Sequence, residues 1–220
     1  MKDKAMEISV KNNEDYWNEF YRRDFVHVPS QFCVFVSTYI NANSTVVELG
    51  CGNGRDSHFF SNMNFRVIGV DLSLSAIENC TENSDSNKDI KFLCGDISEE
   101  NICEDISQVI GSRSESTDVC FYSRFVIHSI DEQQQTSFML GLNNLMKRGD
   151  RIFFEFRSKE DEETKKVYGN HYRRYVDTEL FIKQLVGIVG VEILYSITGK
   201  GMAMFKDEDP SVSRIIAQKY

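Results

Sequence analysis

The sequence has little of what marks secreted or membrane-bound proteins. Its 220 residues contain no apolar run near the ~20 residues that a membrane span needs, and Met1–Glu7 lacks the apolar stretch of a signal peptide. None of the six cysteines forms a CxxC pair, which argues against a zinc site and, without a secreted context, predicts free thiols. We therefore expect a cytoplasmic protein with no membrane partner.

Proline is also scarce, with only Pro29 and Pro210, and no repeat, low-complexity tract or linker divides the chain. With 41% hydrophobic residues, the chain is long enough to bury one core. Its formal net charge of −9 gives a surface that repels phosphate backbones, so nucleic acid is not an expected partner. One acidic domain is the expectation.

Short β-rich runs alternate with helical stretches after an N-terminal section that has helical patterning at Glu14–Tyr21 and Gln31–Ile40. The predicted strands are Thr45–Leu49, Arg66–Asp71, Ile90–Cys94, Asp118–Ser123, Asp150–Phe156, Val191–Ile197 and Met202–Lys206. Nearly continuous apolar strands that alternate with helices predict a parallel sheet covered on both faces. The short connection around Gly199–Gly201 cannot hold a parallel crossover, so it predicts a final antiparallel hairpin.

The predicted fold class is therefore α/β, with a Rossmann-like, doubly wound, mostly parallel seven-stranded sheet, an antiparallel last strand and helices on both faces. Residues 45–220 are expected to form this domain. Residues 1–44 are expected to form a helical section that covers its site.

A glycine-rich segment, Gly50–Gly54, follows the first predicted strand. Glycines at the carboxyl end of a strand let the backbone approach a ligand without Cβ atoms in the way, and open α/β sheets bind ligands at that edge. The second strand ends in Asp71, about 20 residues further on, where a carboxylate can accept hydrogen bonds from both hydroxyls of a ribose. Together these features indicate a ligand that contains adenosine.

The glycine pattern by itself also occurs in structural loops and in nicotinamide-cofactor sites. Here the spacing is GxGxG rather than GxGxxG, and Arg55 stands where the third dinucleotide glycine would fall. Glu48 precedes the glycines, and Asp96 follows the third strand. A dinucleotide needs a close helix N-terminus for its pyrophosphate, whereas an amino acid linked to adenosine carries an amino group that favours acidic neighbours. The sequence fits the second ligand better.

Over Thr45–Lys206 the chain resembles the class I S-adenosylmethionine-dependent methyltransferases, whose first three motifs match ELGCGNGRD, VIGVDLS and FLCGDI in order and spacing. The similarity extends to small bacterial-type enzymes of polysaccharide or secondary-metabolite pathways. It implies S-adenosylmethionine as cofactor, bound by Glu48, Gly50, Cys51, Gly52, Asp71, Leu72, Asp96, Ile97 and Ser123. In this assignment the glycine segment contacts the methionine part, Asp71 the ribose hydroxyls and Asp96 the adenine amino group.

The two acidic residues also have a structural interpretation. Asp71 is placed to cap the helix that follows it, and Asp96 is placed to start a turn. Their joint occurrence at consecutive strand ends favours the ligand roles, for which Glu48 is the weaker candidate.

The methyl acceptor is expected over the carboxyl ends of the fourth and fifth strands. Five basic residues are predicted to converge there, namely Arg124, Arg157, His171, Arg173 and Arg174. In an acidic protein they indicate a small anionic acceptor that bears a carboxylate or a phosphate, such as a sugar, nucleotide-sugar or other metabolite. His128 is the candidate catalytic base, which is needed only where the acceptor atom is protonated.

Each of these residues has an alternative. Arg124 and Arg157 are also placed to pair with Glu155 or Asp131, Arg173 and Arg174 to be solvated charges of a helix face, and His128 to be a hydrogen-bonded core residue. Residues Tyr16, Trp17, Phe20 and Tyr21 have helical spacing, which predicts an aromatic face for core packing or for a cover over the cofactor.

Other functions stay open at this point. A protein or nucleic-acid methyltransferase, a nicotinamide-dependent oxidoreductase and a non-catalytic binding module share parts of the pattern. The fourth motif lacks the Asn/Asp-Pro-Pro-aromatic signature that resembles amino-methylating nucleic-acid enzymes. No His/Asp/Glu cluster has metal-coordinating spacing, so no metal is expected.

Overall fold

A computed structural model describes residues 14–22, 28–112, 118–164 and 172–220. The strands are β1 (Thr45–Leu49), β2 (Arg66–Asp71), β3 (Ile90–Cys94), β4 (Val119–Arg124), β5 (Arg151–Arg157), β6 (Val191–Gly199) and β7 (Val212–Lys219). The helices are α1 (residues 14–20), α2 (Gln31–Ser37), α3 (Arg55–Asn62), α4 (Leu74–Glu82), α5 (Glu100–Ile110), α6 (Glu132–Leu145) and α7 (Thr178–Val189). None of these helices is long and apolar enough to cross a membrane.

The seven strands form one sheet in the order β3-β2-β1-β4-β5-β7-β6. Strands β1 to β5 pair in parallel, and β7 lies antiparallel between β5 and β6. This confirms the predicted fold class. The chain order reverses between β1 and β4, and the carboxyl edge at such a reversal is where open α/β sheets bind their ligands.

Helices cover both faces of the sheet because its strands carry apolar side chains on both sides. Helices α5, α6 and α7 pack on one face, around Phe121 and Phe154. Helices α2 and α3 pack on the other, around Phe60 and Phe153, while α4 adds a small cluster with Ile77 and the thiols of Cys51 and Cys80. All six cysteines are free thiols, as predicted.

The last strand corrects the sequence prediction. Residues Met202–Lys206 are not a strand but part of the connection between β6 and β7, and their apolar side chains at Met204 and Phe205 are exposed. The true strand was missed because it buries polar residues, among them Ser213, which shares hydrogen bonds with the hydroxyls of Thr178 (2.6 Å) and Thr198 (2.7 Å). The prediction that the last strand is antiparallel is confirmed, whereas its predicted position in the sequence was wrong.

A row of polar side chains lies on the α2–α3 face of the sheet, and all of them are buried except Arg124, which is partly exposed. This buried polar row consists of Glu48 on β1, Tyr122 and Arg124 on β4, Glu155 on β5 and Arg214 on β7. The register pairs Glu48 with Tyr122, Arg124 with Glu155, and Glu155 with Arg214. Since alternate residues of a strand face the same side, the row crosses four neighbouring strands close to the ligand-binding edge.

A buried carboxylate fixes the segment before α2 to this row. Asp56, at the start of α3, accepts hydrogen bonds from the Ser30 amide (2.7 Å), the Ser30 hydroxyl (2.7 Å) and the Tyr122 hydroxyl (2.8 Å). Ser30 also caps α2 by accepting from the Cys33 amide at 3.0 Å. The network joins two helices to the centre of the sheet.

Replacing Asp56 with Ala leaves the Ser30 amide and one of the two hydroxyls of Ser30 and Tyr122 without an acceptor, since those hydroxyls lie 3.2 Å apart and can bond only once to each other. Because each unsatisfied buried donor costs about 1–3 kcal/mol, we expect the free energy of unfolding to fall by about 3 kcal/mol or more. Tyr122→Phe removes one donor and leaves the other two bonds, so its expected loss is about 1 kcal/mol. Urea denaturation measures both, and equal losses would contradict the anchoring role of Asp56.

Candidate active site

The loop between β1 and α3 has a backbone path that only glycine adopts readily. Gly50, Gly52 and Gly54 have φ values of +82°, +53° and +74°. A Cβ atom on Gly50 would lie 2.1 Å from Cγ2 of Val126, and one on Gly52 would lie 2.4 Å from the Tyr21 hydroxyl oxygen. Val126 and Tyr21 therefore leave no room for side chains at these two positions. The loop, here called the glycine cradle (Gly50–Gly54), has bare backbone, which is what the close approach of a ligand requires.

Asp71 ends β2 beside this cradle. Its Oδ2 accepts from the Gly52 amide (2.7 Å) and its Oδ1 from the Ser73 amide (2.9 Å). Burial raises the pKa of Asp71, and the two amides oppose that rise. Each carboxylate oxygen keeps a second lone pair, which suits it to accept from a ribose hydroxyl. The cap of α4 is Ser73 itself, which accepts from the Ala76 amide at 3.2 Å.

The third motif lies next to the second, because the Gly95 amide donates to the Asp71 carbonyl at 2.9 Å. Asp96 Oδ1 accepts from the amide (2.8 Å) and the hydroxyl (2.7 Å) of Ser98, which is the turn that the structural alternative described. Leu72 is partly exposed here, and Ile97 is buried in the core below. Their contacts with adenine stay predictions.

Three further predicted residues support the cradle from inside the protein. The Ser123 hydroxyl donates to the Leu49 carbonyl at 3.2 Å and so joins β4 to the end of β1. Glu48 accepts from the Ser57 hydroxyl, and burial, followed by the nearby Asp56, raises its pKa well above the ordinary value. Burial likewise raises the pKa of the Cys51 thiol. Ligand contacts of Glu48, Cys51 and Ser123 stay predictions.

Helix α1 and the turn after it contribute two residues that were not among the predicted site residues. Asn18 Oδ1 accepts from the Ser73 hydroxyl at 2.7 Å, at the start of α4. The Tyr21 hydroxyl lies against Gly52, and burial together with the Asp71 carboxylate raises its pKa. The helical spacing of the aromatic residues was the signal available for Tyr21, and no signal pointed to Asn18. That residues 1–44 cover the site as a whole stays a prediction.

On the acceptor side, Arg124 ends β4. Its Nε donates to Glu155 Oε1 at 2.7 Å, which is the pairing that the sequence alternative proposed. Its guanidinium carbon lies 4.1 Å from the ring centroid of Phe125, a residue held at a φ of +62°. Within the part of the chain that the structure describes, Glu155 is its sole hydrogen-bond acceptor. The terminal nitrogens are therefore not used by those residues.

Arg157 and His128 are engaged in the interior. Arg157 donates to Asp161 (2.7 Å) and to Glu208, and these two carboxylates compensate its charge, so the predicted alternative partners Glu155 and Asp131 are wrong for this residue. His128 is 3% exposed, and its Nδ1 accepts from the Arg157 amide at 3.3 Å. This geometry favours structural roles for both residues.

Arg174 holds the turn that follows β4. Its Nε donates to the Ile130 carbonyl (2.7 Å) and its Nη2 to the Ile127 carbonyl (3.1 Å). It lies in an extended segment, so the solvated helix face proposed as its alternative is wrong, and burial lowers its pKa. Arg173 is partly exposed in the same segment, whereas His171 lies outside the described residues. The described residues include no group of three or more His, Cys, Asp or Glu suited to a metal.

Comparison with known proteins identifies the fold and the family. A family model described as a methyltransferase domain matches residues 40–176. The carboxy-S-adenosyl-L-methionine synthase of Histophilus somni (strain 2336) is 33% identical over 71 residues, which are 29% of this chain and 30% of that protein. The chain matches no more than 30% of the length of such curated relatives.

Solved structures of similar fold cover nearly the whole chain. A SAM-dependent methyltransferase from Anabaena variabilis ATCC 29413 superposes with a TM-score of 0.70 at 20% identity, over 94% of this chain and 93% of that one. The glycopeptide N-methyltransferase MtfA, solved with S-adenosylmethionine, gives a TM-score of 0.61 at 13% identity, over 87% and 93% of the two chains. At such identities the likeness shows the fold.

Gly52→Ala should weaken binding of S-adenosylhomocysteine by about tenfold or more, because the added methyl is strained at positive φ and meets Tyr21. Calorimetry on variants with wild-type circular dichroism measures this. Gly187→Ala is the matched control, since a Cβ there, within α7, meets no atom within 4 Å. The control should keep the wild-type affinity and gain up to about 1 kcal/mol of stability. Unchanged affinity in Gly52→Ala would contradict the cradle.

Affinity for S-adenosylhomocysteine should also fall on acidification. Asp71 accepts from two hydroxyls only when ionised, and because burial raises its pKa, it takes up its proton at a higher pH than an exposed aspartate. Calorimetry at a series of pH values measures the effect. Glu48→Gln mimics the protonated form of the other raised carboxyl and should keep the same pH profile. A profile that is flat in the wild type, or that disappears in Glu48→Gln, would refute the role of Asp71.

The geometry and the comparisons agree. A glycine cradle, an acidic residue at the end of β2 and a third motif beside it occupy the reversal point of a sheet whose fold is that of methyltransferases. The motif resemblance, the fold class and the cofactor prediction are confirmed. The chain belongs to the methyltransferase domain family, as a class I enzyme whose cofactor is S-adenosylmethionine.

Proposed function

We propose that this protein transfers a methyl group from S-adenosylmethionine to a small anionic acceptor in the cytoplasm. The acceptor class comprises sugars, nucleotide-sugars and other metabolites that bear a carboxylate or phosphate. One observation carries the proposal. The glycine cradle and Asp71 lie at the ends of β1 and β2, and the partly exposed guanidinium of Arg124 lies at the end of the adjoining β4.

The protein's own part in such a transfer is alignment. S-adenosylmethionine supplies a methyl group on a sulfonium, which an acceptor atom attacks in line. Holding the two groups in register and excluding water contributes ~7–11 kcal/mol of barrier reduction. Val126 packs against Gly50, and Arg174 holds the carbonyls of the same turn, so the end of β4 is placed directly against the glycine cradle. The Tyr21 hydroxyl lies against Gly52 of the same loop.

The side chains at the acceptor end favour an anion. Arg124 has terminal nitrogens that the described residues leave unused, and a guanidinium binds carboxylates and phosphates through paired hydrogen bonds. Such acceptor groups attack without a general base, which agrees with a His128 that is buried and hydrogen-bonded. The net charge of −9 disfavours a nucleic-acid acceptor. The similar proteins have different activities and so do not indicate the acceptor. The proposal of an anionic acceptor therefore depends on Arg124.

Arg124→Gln should raise the Michaelis constant for the acceptor by about tenfold or more, since a charged hydrogen bond contributes about 1.5–3 kcal/mol. The dissociation constant of S-adenosylhomocysteine should not change. Radiolabelled methyl transfer into a metabolite extract, fractionated by charge, finds the acceptor and gives its kinetics. Arg148→Gln, an exposed arginine at the amino end of β5, is the matched control. An equal loss of cofactor binding in Arg124→Gln, or label only in cationic fractions, would contradict the proposal.

A further inference from the structure

Three members of the buried polar row form an ion triad across three strands. Glu155 Oε1 accepts from Arg124 Nε at 2.7 Å, and Glu155 Oε2 accepts from Arg214 Nε at 2.7 Å. The three residues lie directly opposite one another on β4, β5 and β7. The side chain of Glu155 is fully buried and that of Arg214 is 9% exposed, while Arg124 is the most accessible at 16%. The triad therefore opens toward solvent at Arg124.

The triad carries one positive charge more than its carboxylate compensates. Two further acidic groups lie on this face. Asp56 is bonded to Ser30 and Tyr122 and lies 3.7 Å from the Arg55 guanidinium, so this pair leaves the balance unchanged. Glu48 accepts from Ser57, and burial together with Asp56 raises its pKa, which favours its neutral form. Burying an uncompensated charge is costly, and aromatic faces lower that cost.

Aromatic rings support both guanidinium groups. The rings of Phe32 and Phe35 lie 5.3 and 5.4 Å from the guanidinium carbon of Arg214, and that of Phe125 lies 4.1 Å from the guanidinium carbon of Arg124. Aromatic rings thus stabilise the positive charge of both arginines.

The hydrogen bonds of the triad decide which donors remain. Arg214 uses Nε on Glu155 and Nη2 on the Met202 carbonyl at 2.7 Å. Arg124 uses Nε on Glu155, and the described residues offer no acceptor to its terminal nitrogens. A guanidinium held through its Nε presents the terminal pair in a fixed plane, as bidentate binding of an oxyanion requires. The terminal nitrogens of Arg124, which the described residues do not use, are therefore at the solvent-accessible end of a triad that has one excess positive charge.

We propose that Arg124, Glu155 and Arg214 form the recognition site for a singly charged group of the methyl acceptor, a carboxylate or a phosphodiester. This inference rests on the proposed function and narrows it. Arg124 contacts the anion, and Glu155 and Arg214 are positioning residues that set the charge of the site to one. A dianionic phosphate monoester would leave one negative charge uncompensated.

Arginine Nε–H signals in proton–nitrogen NMR spectra of the protein with S-adenosylhomocysteine test this directly. The probes are acetate, dimethyl phosphate and inorganic phosphate, at constant ionic strength and at a pH where phosphate is dianionic. In the wild type, acetate and dimethyl phosphate should shift the Arg124 signal saturably and bind at least as tightly as phosphate. Shifts that do not saturate, or tighter binding of phosphate, would overturn the proposal.

Variants that change the charge of the triad sharpen the test. Glu155→Gln leaves two positive charges and should favour phosphate over acetate by about tenfold relative to the wild type. Arg214→Gln leaves none and should weaken all three anions, whereas Arg214→Lys keeps the charge and most of the affinity. The matched control is Asp89→Asn, which breaks the ion pair with Arg66 at the amino end of β2 and should leave the affinities for all three anions unchanged. An unchanged acetate-to-phosphate ratio in Glu155→Gln, with Arg214→Gln like the wild type, would overturn the charge assignment.

Failure of this inference is distinguishable from failure of the proposed function. If Arg124→Gln raises the acceptor's Michaelis constant while the Glu155 and Arg214 variants bind anions as the wild type does, the anionic acceptor stands and the triad is wrong. If labelled methyl groups enter only metabolites that bear no carboxylate or phosphate before methylation, both are wrong.

Discussion

The close approach of other chain segments to the backbone after β1 is the constraint on which the rest of the site depends. Val126 from the end of β4 and Tyr21 from the N-terminal section occupy the space that side chains at Gly50 and Gly52 would fill. At the end of β2, the Asp71 carboxylate accepts a hydrogen bond from the Gly52 amide. Three elements that are distant in sequence are thereby positioned against one bare stretch of backbone.

The polar groups buried beside that loop divide into two kinds. In the cluster of Arg157 with Asp161 and Glu208, two carboxylates face one guanidinium, so the positive charge of Arg157 is fully compensated within the protein. The triad around Glu155 has more positive than negative charge and opens to solvent at Arg124. Buried ion pairs often add little stability over apolar packing, so an uncompensated one is better explained by a ligand than by the fold.

Much of the fold followed from the sequence because the central strands are mostly apolar. β1, β2 and β3 have the predicted bounds, and the glycine segment and Asp71 meet where consecutive parallel strands must end. β4 and β5 begin one residue later than predicted, at Val119 and Arg151. Strand β7 was not predicted, because hydropathy does not show that a polar residue such as Ser213 is buried and hydrogen-bonded to neighbouring segments.

The hydrogen-bond partners of the basic residues could not be predicted from the sequence either. Sequence spacing placed Arg124, Arg157 and Arg174 near one edge, but the partner of each depends on which acceptor the fold brings within about 3 Å. Glu208 reaches Arg157 from 51 residues away, and backbone carbonyls, which carry no sequence signal, hold Arg174. Among the described contacts of these three arginines, Arg124 has the fewest hydrogen-bond acceptors, with Glu155 alone.

The central claim is that the glycine cradle and Asp71 hold an adenosyl amino acid. A crystal structure of the protein with S-adenosylhomocysteine tests it most directly. The account predicts both ribose hydroxyls within hydrogen-bond distance of the Asp71 carboxylate and the amino-acid part against Gly50–Gly52. A ligand bound elsewhere, or a ribose turned away from Asp71, would contradict it.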